Sequence, residues 1–179
     1  MAYYEKVNTD LRSRLLAECV VENHTVYKES PWREAILERP KDFNLEHLIE
    51  QCFSLQSEGA YDFNDGIHED YDDESECKTG TCYPEQSCAE ITNVRSKDGV
   101  LKRGAIRAVV LNPDLEKLHY FFIPKNVVET MMTTQDGQPK KNKSLWLRYN
   151  KKKKLFTSVE KYGIIEHNNL KDVAMEKNR

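Results

Sequence analysis

The chain reads as a mixed α and β protein, an α/β or α+β fold with a central mixed β-sheet flanked by helices. Three observations predict this. Apolar residues recur at helical spacing in a first part, about 1–56, and change to strand-like runs in a second, about 60–160. Two runs rich in β-branched and aromatic residues, AIRAVVL at 105–111 and LHYFFI at 118–123, flank the turn Asn112-Pro113-Asp114. The length of 179 residues, 39% hydrophobic and 32% charged, fits one domain, 1–179, around one core. Helices first and a meandering sheet after give this class.

The elements follow in order. Tyr4, Val7, Leu11, Leu15 and Cys19 lie on one stripe of an opening amphipathic helix, which also offers a dimer surface. Ser30 before Pro31 is an N-cap followed by proline at the first helical position, so a short helix over 30–37 ends before Pro40. Asn44 caps a third helix with Leu45, Leu48, Ile49, Cys52 and Leu55 on its apolar face, and Gly59 stops it. An extended segment over 60–64 and strands over 75–83 and 89–95 come next, then the turn Ser96-Lys97-Asp98-Gly99. The 105–123 hairpin leads to a short helix over 126–132 and a polar loop over 133–142. Strands over 144–149 and 155–159 form a second hairpin with a lysine tip, and 168–179 is a short helix or frayed end.

Several classes are excluded. No apolar run approaches the ~20 residues that cross a bilayer, and the first ten residues, MAYYEKVNTD, carry no signal-peptide core, so the expected location is cytoplasmic, with no membrane partner. The five cysteines are odd in number and lack a CxxC pair; Cys77, Cys82 and Cys88, with or without His68, have the wrong spacing for a zinc ribbon or knuckle and read as buried thiols. Neither a Walker glycine loop nor a nucleophile elbow is present. His119 falls in a strand and reads as packed.

Charge is unevenly placed although the net is -3. The segment 57–78, SEGAYDFNDGIHEDYDDESECK, holds nine carboxylates and then Lys78. Alternation along a strand puts Glu76 and Lys78 on one face, with Ser75, Cys77 and Thr79 on the other. A carboxylate from the preceding extended segment, Asp62 or Asp65, can meet them. Crowded carboxylates repel, and a divalent cation removes that penalty. Two acids and a phosphate oxygen suit Mg²⁺, which takes hard oxygen ligands and keeps water, with Mn²⁺ as a substitute. Such a metal activates water, and an adjacent ammonium stabilises charge developing on phosphate. The run Glu69–Glu74 also fits a solvated acidic loop.

GAYDFND followed by SECKTGT resembles the PD-(D/E)xK nuclease superfamily, the type II restriction endonuclease-like proteins. The resemblance covers the middle third to half of the chain and rests on Asp62 (or Asp65), Glu76 and Lys78. It implies a restriction-endonuclease-like αβββαβ core, with Asp62, Asp65 or both, Glu76 and the main-chain carbonyl of Cys77 as metal ligands, Glu50 as an auxiliary acid and Lys78 as the lysine assisting attack by water. It further implies a Mg²⁺-dependent DNA endonuclease of restriction or phage type, a homodimer if both strands are cut, in a bacterial or phage-infected cell. Three features depart from that pattern: no proline precedes either aspartate, several acids compete for the first-ligand position, and 105–123 reads as a hairpin rather than strand, helix, strand.

Residues 137–154 carry eight basic side chains and no acid. In LWLRY, Trp146 and Arg148 share a face opposite Leu145, Leu147 and Tyr149. Lys140, Lys141, Lys143, Lys151, Lys152 and Lys153 join them as expected DNA-backbone contacts, whose affinity falls with salt. The same lysines also suit a solvated edge hairpin. The rival reading is a non-enzymatic DNA-binding or inhibitor protein whose acidic segment mimics DNA or binds a partner.

Overall fold

The computed structural model describes residues 3–22, 75–92, 94 and 105–176. The helices expected over 30–37 and 45–55, the extended 60–64 segment and the 96–99 turn lie outside them. Four α-helices and seven strands are described: α1 (Tyr3–Glu22), β1 (Ser75–Tyr83), β2 (Cys88–Ile91), β3 (Ala105–Asn112), β4 (Lys117–Ile123), α2 (Lys125–Met131), β5 (Leu145–Asn150), β6 (Leu155–Phe156), α3 (Thr157–Tyr162), β7 (Ile165–His167) and α4 (Leu170–Met175). No described helix is long and apolar enough to cross a membrane.

The strands form one mixed sheet in the order β6-β5-β2-β1-β3-β4-β7. β1 and β3 are parallel, with Cys77 opposite Arg107 and Lys78 opposite Ala108. The neighbouring pairs β1–β2, β2–β5, β3–β4 and β4–β7 are antiparallel. β3 is buried along its whole length, as an interior strand covered on both faces must be. Its pairing with β4 is the hairpin expected from the two apolar runs. β2 is shorter than the 89–95 strand expected. Residues 157–162 are helical rather than strand, because the chain leaves the sheet after Phe156 and the Ser158 hydroxyl accepts the Arg148 main-chain N–H at 2.8 Å. That bond docks α3 on β5 where β6 has ended.

Alternation along the strands sorts the core into two clusters, one per face. The first joins Val7, Leu11 and Leu15 of α1 to Cys77, Val109 and Phe122 of the sheet, with Leu170 and Val173 of α4. The second joins Ile106, Phe121, Leu145 and Leu147 to Val127, Val128 and Met131 of α2. Each such apolar side chain contributes about 1.5–3 kcal/mol on burial. The α1 stripe is therefore used inside the subunit, and the expectation that it serves a dimer is corrected: Val7, Leu11 and Leu15 are all buried against the chain's own sheet.

Among the described residues, one fully buried arginine sits within the first cluster's layer. Arg107 is fully buried, donates from Nε to the Val173 carbonyl at 3.2 Å and from NH2 to the Glu176 carbonyl, and lies over the Phe122 ring. These carbonyls end α4, where the helix dipole is negative, so the guanidinium caps the helix and fastens it to β3. At the other end of α4, Asn169 Oδ1 accepts from the Asp172 N–H at 2.8 Å, an N-cap.

Candidate functional site

The acidic half of the expected site is only partly within the described residues. Asp62, Asp65, Glu50 and the 69–74 run lie outside them. Glu76 occupies the β1 position opposite Ile106, and Lys78 the position opposite Ala108. Lys78 is 4% exposed, in a strand with neighbours on both sides. Cys77 faces the other way, into the apolar cluster under α1, so its thiol is removed from any metal and only its main-chain carbonyl remains for that duty. Among the described residues no three His, Cys, Asp or Glu side chains group to hold a metal. Cys77, Cys82 and Cys88 form no disulfide and are buried. Cys82 and Cys88 are separated between the two faces, since Cys82 pairs with Ala89 and Tyr83 with Cys88. Burial, then the nearby Asp114 charge, pushes the Cys82 thiol up to about 12.

The basic half gathers into a cleft. Lys140, Trp146 and Arg148 line a cavity of about 560 Å³ together with Ser158, Lys161 and Tyr162 of α3. β5 presents Trp146 and Arg148 outward because its residues alternate buried and exposed, with Leu145, Leu147 and Tyr149 in the core. α3 presents Ser158, Lys161 and Tyr162 on one face, as residues three and four apart on a helix must. Among the described residues no Asp or Glu lines the cleft. One acid borders it: Glu90 accepts from the hydroxyl of Ser144, a lining residue, at 2.6 Å.

The remaining expected DNA contacts are distributed otherwise. Lys151 is 3.0 Å from Glu85 in an exposed ion pair. Lys152 and Lys153 stand exposed at the hairpin tip, where Asn150 accepts the Lys153 N–H at 2.9 Å and holds the turn. Lys141 and Lys143 are exposed beside the cleft without lining it. Lys161 is the functional candidate that sequence reasoning missed. Its only sequence signal is a basic residue three after Ser158, which acquires meaning once Ser158 is bonded to β5.

Register separates the two halves. Thr81 pairs with Glu90, and Glu90 with Trp146, so Trp146 and Arg148 share the face of Thr81, Thr79 and Cys77. The Glu76 and Lys78 positions belong to the opposite face.

A third polar group joins Asn112, Asp114, His119, Tyr149 and Glu166 at the hairpin end. His119 Nδ1 is 2.9 Å from Glu166 Oε1 and its Nε2 is 3.1 Å from Asn112 Nδ2. Tyr149 donates to Asp114 Oδ2 at 2.7 Å; burial and then this bond push its hydroxyl up to about 12. With both ring nitrogens occupied and Phe121 and Phe156 against the ring, His119 is a packed residue, as expected from its strand. Compared with known proteins, the chain matches no family model, no curated protein and no solved structure.

Proposed function

We propose that the protein is a Mg²⁺-dependent DNA endonuclease of the PD-(D/E)xK type, with a restriction-endonuclease-like core. The observation that carries this reading is Lys78: an amine 4% exposed on an interior strand, two residues beyond Glu76 and on the same face by alternation. Desolvating an ammonium costs several kcal/mol, on the order of what a buried pair returns, so stability alone is a poor reason to keep it. A buried amine two positions from a carboxylate on one strand is the pattern that this reading requires. Asp62 or Asp65, Glu76 and the Cys77 carbonyl would hold the ion. When bound, it supplies a Lewis acid for the phosphate and an activated water. Lys78 then orients the attacking water or neutralises charge on the non-bridging oxygens. Lys140, Arg148 and Lys161 hold the sugar-phosphate backbone.

The second reading is a DNA-binding protein without catalysis. It is favoured by one observation, the opposite sheet faces of Lys78 and of Trp146 with Arg148.

Plasmid DNA incubated with the protein and Mg²⁺, with EDTA as control, tests the first reading. Nicked or linear product that vanishes in Glu76→Ala and Lys78→Ala is the expected result. Cleavage that survives both substitutions removes the assigned site, and retention on DNA with no cleavage of any substrate leaves the second reading.

A further inference from the structure

The geometry points to a short unpaired stretch of DNA as the occupant of the cleft on β5. This deepens the reading that the chain acts on DNA and rests on it. The cleft's volume, about 560 Å³, is in the range of roughly 300–1,000 Å³ that encloses small ligands. A duplex keeps its bases stacked and paired inside a convex backbone and brings none into such a cavity unless one is flipped out. An unpaired nucleotide brings both an anionic phosphate and a free aromatic face.

The lining matches both. Trp146 is 40% exposed, an indole left in solvent on the cleft wall by a strand whose alternate residues are buried. Bases stack on such a ring whatever their identity. Arg148, two residues on, stands about 7 Å further along the same face. Lys140 and Lys161 come from the loop and from α3, so cations from three elements line a cleft that holds two aromatic rings, Trp146 and Tyr162, with Lys161 over the latter. The ion pairs seen among the described residues, His119–Glu166, Lys151–Glu85 and His167–Glu176, do not engage Lys140, Arg148 or Lys161. The bond from the Arg148 N–H to Ser158 fixes the two walls relative to each other before any ligand arrives. Gln86, Asn142 and Ser144 add amide and hydroxyl groups suited to base edges without demanding one base.

The path also continues. A second cavity of about 690 Å³ shares Lys140 and Tyr162 with the first and is lined by Asn126, Glu129 and Thr130 of α2 and by Gln135 beyond it, so one carboxylate stands on its wall. Lys140 therefore sits between two adjoining spaces, as a residue that holds the phosphate linking successive nucleotides would. A strand with free ends or a single-stranded branch fits this track.

Fluorescence anisotropy in EDTA, which stops cleavage, tests the occupant. The probes are a labelled oligo(dT) and a hairpin duplex with the same number of nucleotides. The oligo(dT) is expected to bind more tightly. Trp146→Ala should weaken it by roughly tenfold and leave the duplex unchanged, with Trp146→Phe restoring most of the loss. Lys140→Gln with Lys161→Gln should flatten the salt dependence by about 0.7 for each phosphate no longer neutralised. Equal affinity for the two probes, or oligo(dT) binding indifferent to Trp146→Ala and Lys161→Gln, overturns the assignment. Tight oligo(dT) binding through the cleft, with no Mg²⁺-dependent cleavage of any DNA, keeps the cleft and removes the endonuclease. Lys78-dependent cleavage with binding unaffected by the cleft variants does the reverse.

Discussion

His119 and Glu166 meet through a 2.9 Å contact between Nδ1 and Oε1, across paired strands β4 and β7. The hydrogen bond from the ring holds the Glu166 carboxyl below the ordinary glutamate range, against the opposing effect of burial. A carboxyl that ionises at lower pH when folded stabilises the fold above its unfolded pKa, and that contribution is lost as pH falls through the folded value. Glu166→Gln should therefore flatten the acid side of the stability profile. Melting temperatures measured from about pH 7 to about pH 3 should diverge at neutral pH and converge in acid. The divergence will be small, because Glu166 is 41% exposed and stays partly solvated. Parallel profiles would show that the contact carries no linkage.

Gly80 precedes Thr81, the first β1 residue paired with β2, and lies against the β2 main chain. A Cβ there would sit 2.9 Å from the Glu90 carbonyl oxygen and 3.4 Å from Ile91 Cγ1. The first of these is backbone within the ladder and cannot swing aside. Gly80→Ala should cost about 1–3 kcal/mol, read as a lower urea midpoint with an unchanged slope. A midpoint equal to wild type would mean that the strands separate freely.

Lys78 and Glu76 should part company in a metal-binding assay. If Glu76 is a ligand and Lys78 is not, Mn²⁺ should raise the melting temperature of the wild type and of Lys78→Met, but not of Glu76→Gln. Both variants should lose at least ~100-fold in cleavage. A metal-dependent shift that survives Glu76→Gln assigns the ligand role elsewhere.

Cys82 should resist alkylation while the fold is intact. Its thiol is buried and pushed up to about 12, so the thiolate is scarce at the mildly alkaline pH of an iodoacetamide reaction. Mass mapping should find Cys82 unmodified in native protein and fully modified in guanidinium. Labelling at equal rates in the two states would contradict the burial.

The strands that pack on both sides were legible in the sequence because burial leaves a dense signature. AIRAVVL and LHYFFI are apolar enough to announce β3 and β4, and LWLRY alternates cleanly enough to separate Trp146 and Arg148 from the core. The stripe of Val7, Leu11 and Leu15 announced α1. What escaped has no local cause. Thr157–Tyr162 is too short to show a period, and its helix is set by a hydrogen bond to Arg148 ten residues earlier. β7 has three residues and exists because β4 offers it an edge. Lys161 enters the cleft only because α3 docks there. Lys151 looked like part of a uniform basic run, yet Glu85, 66 positions away, neutralises it. Arg107 sits in a strand whose pattern promised only apolar burial, and its acceptors belong to the last helix.

That last pairing has a bearing on how the chain matures. The carbonyls that accept from Arg107 come 66 and 69 residues after it. During synthesis at about 5–20 residues per second, β3 leaves the ribosome several seconds before its guanidinium can be satisfied by α4. The two bonds that fasten α4 to β3 therefore form late, after every strand of the sheet has been made.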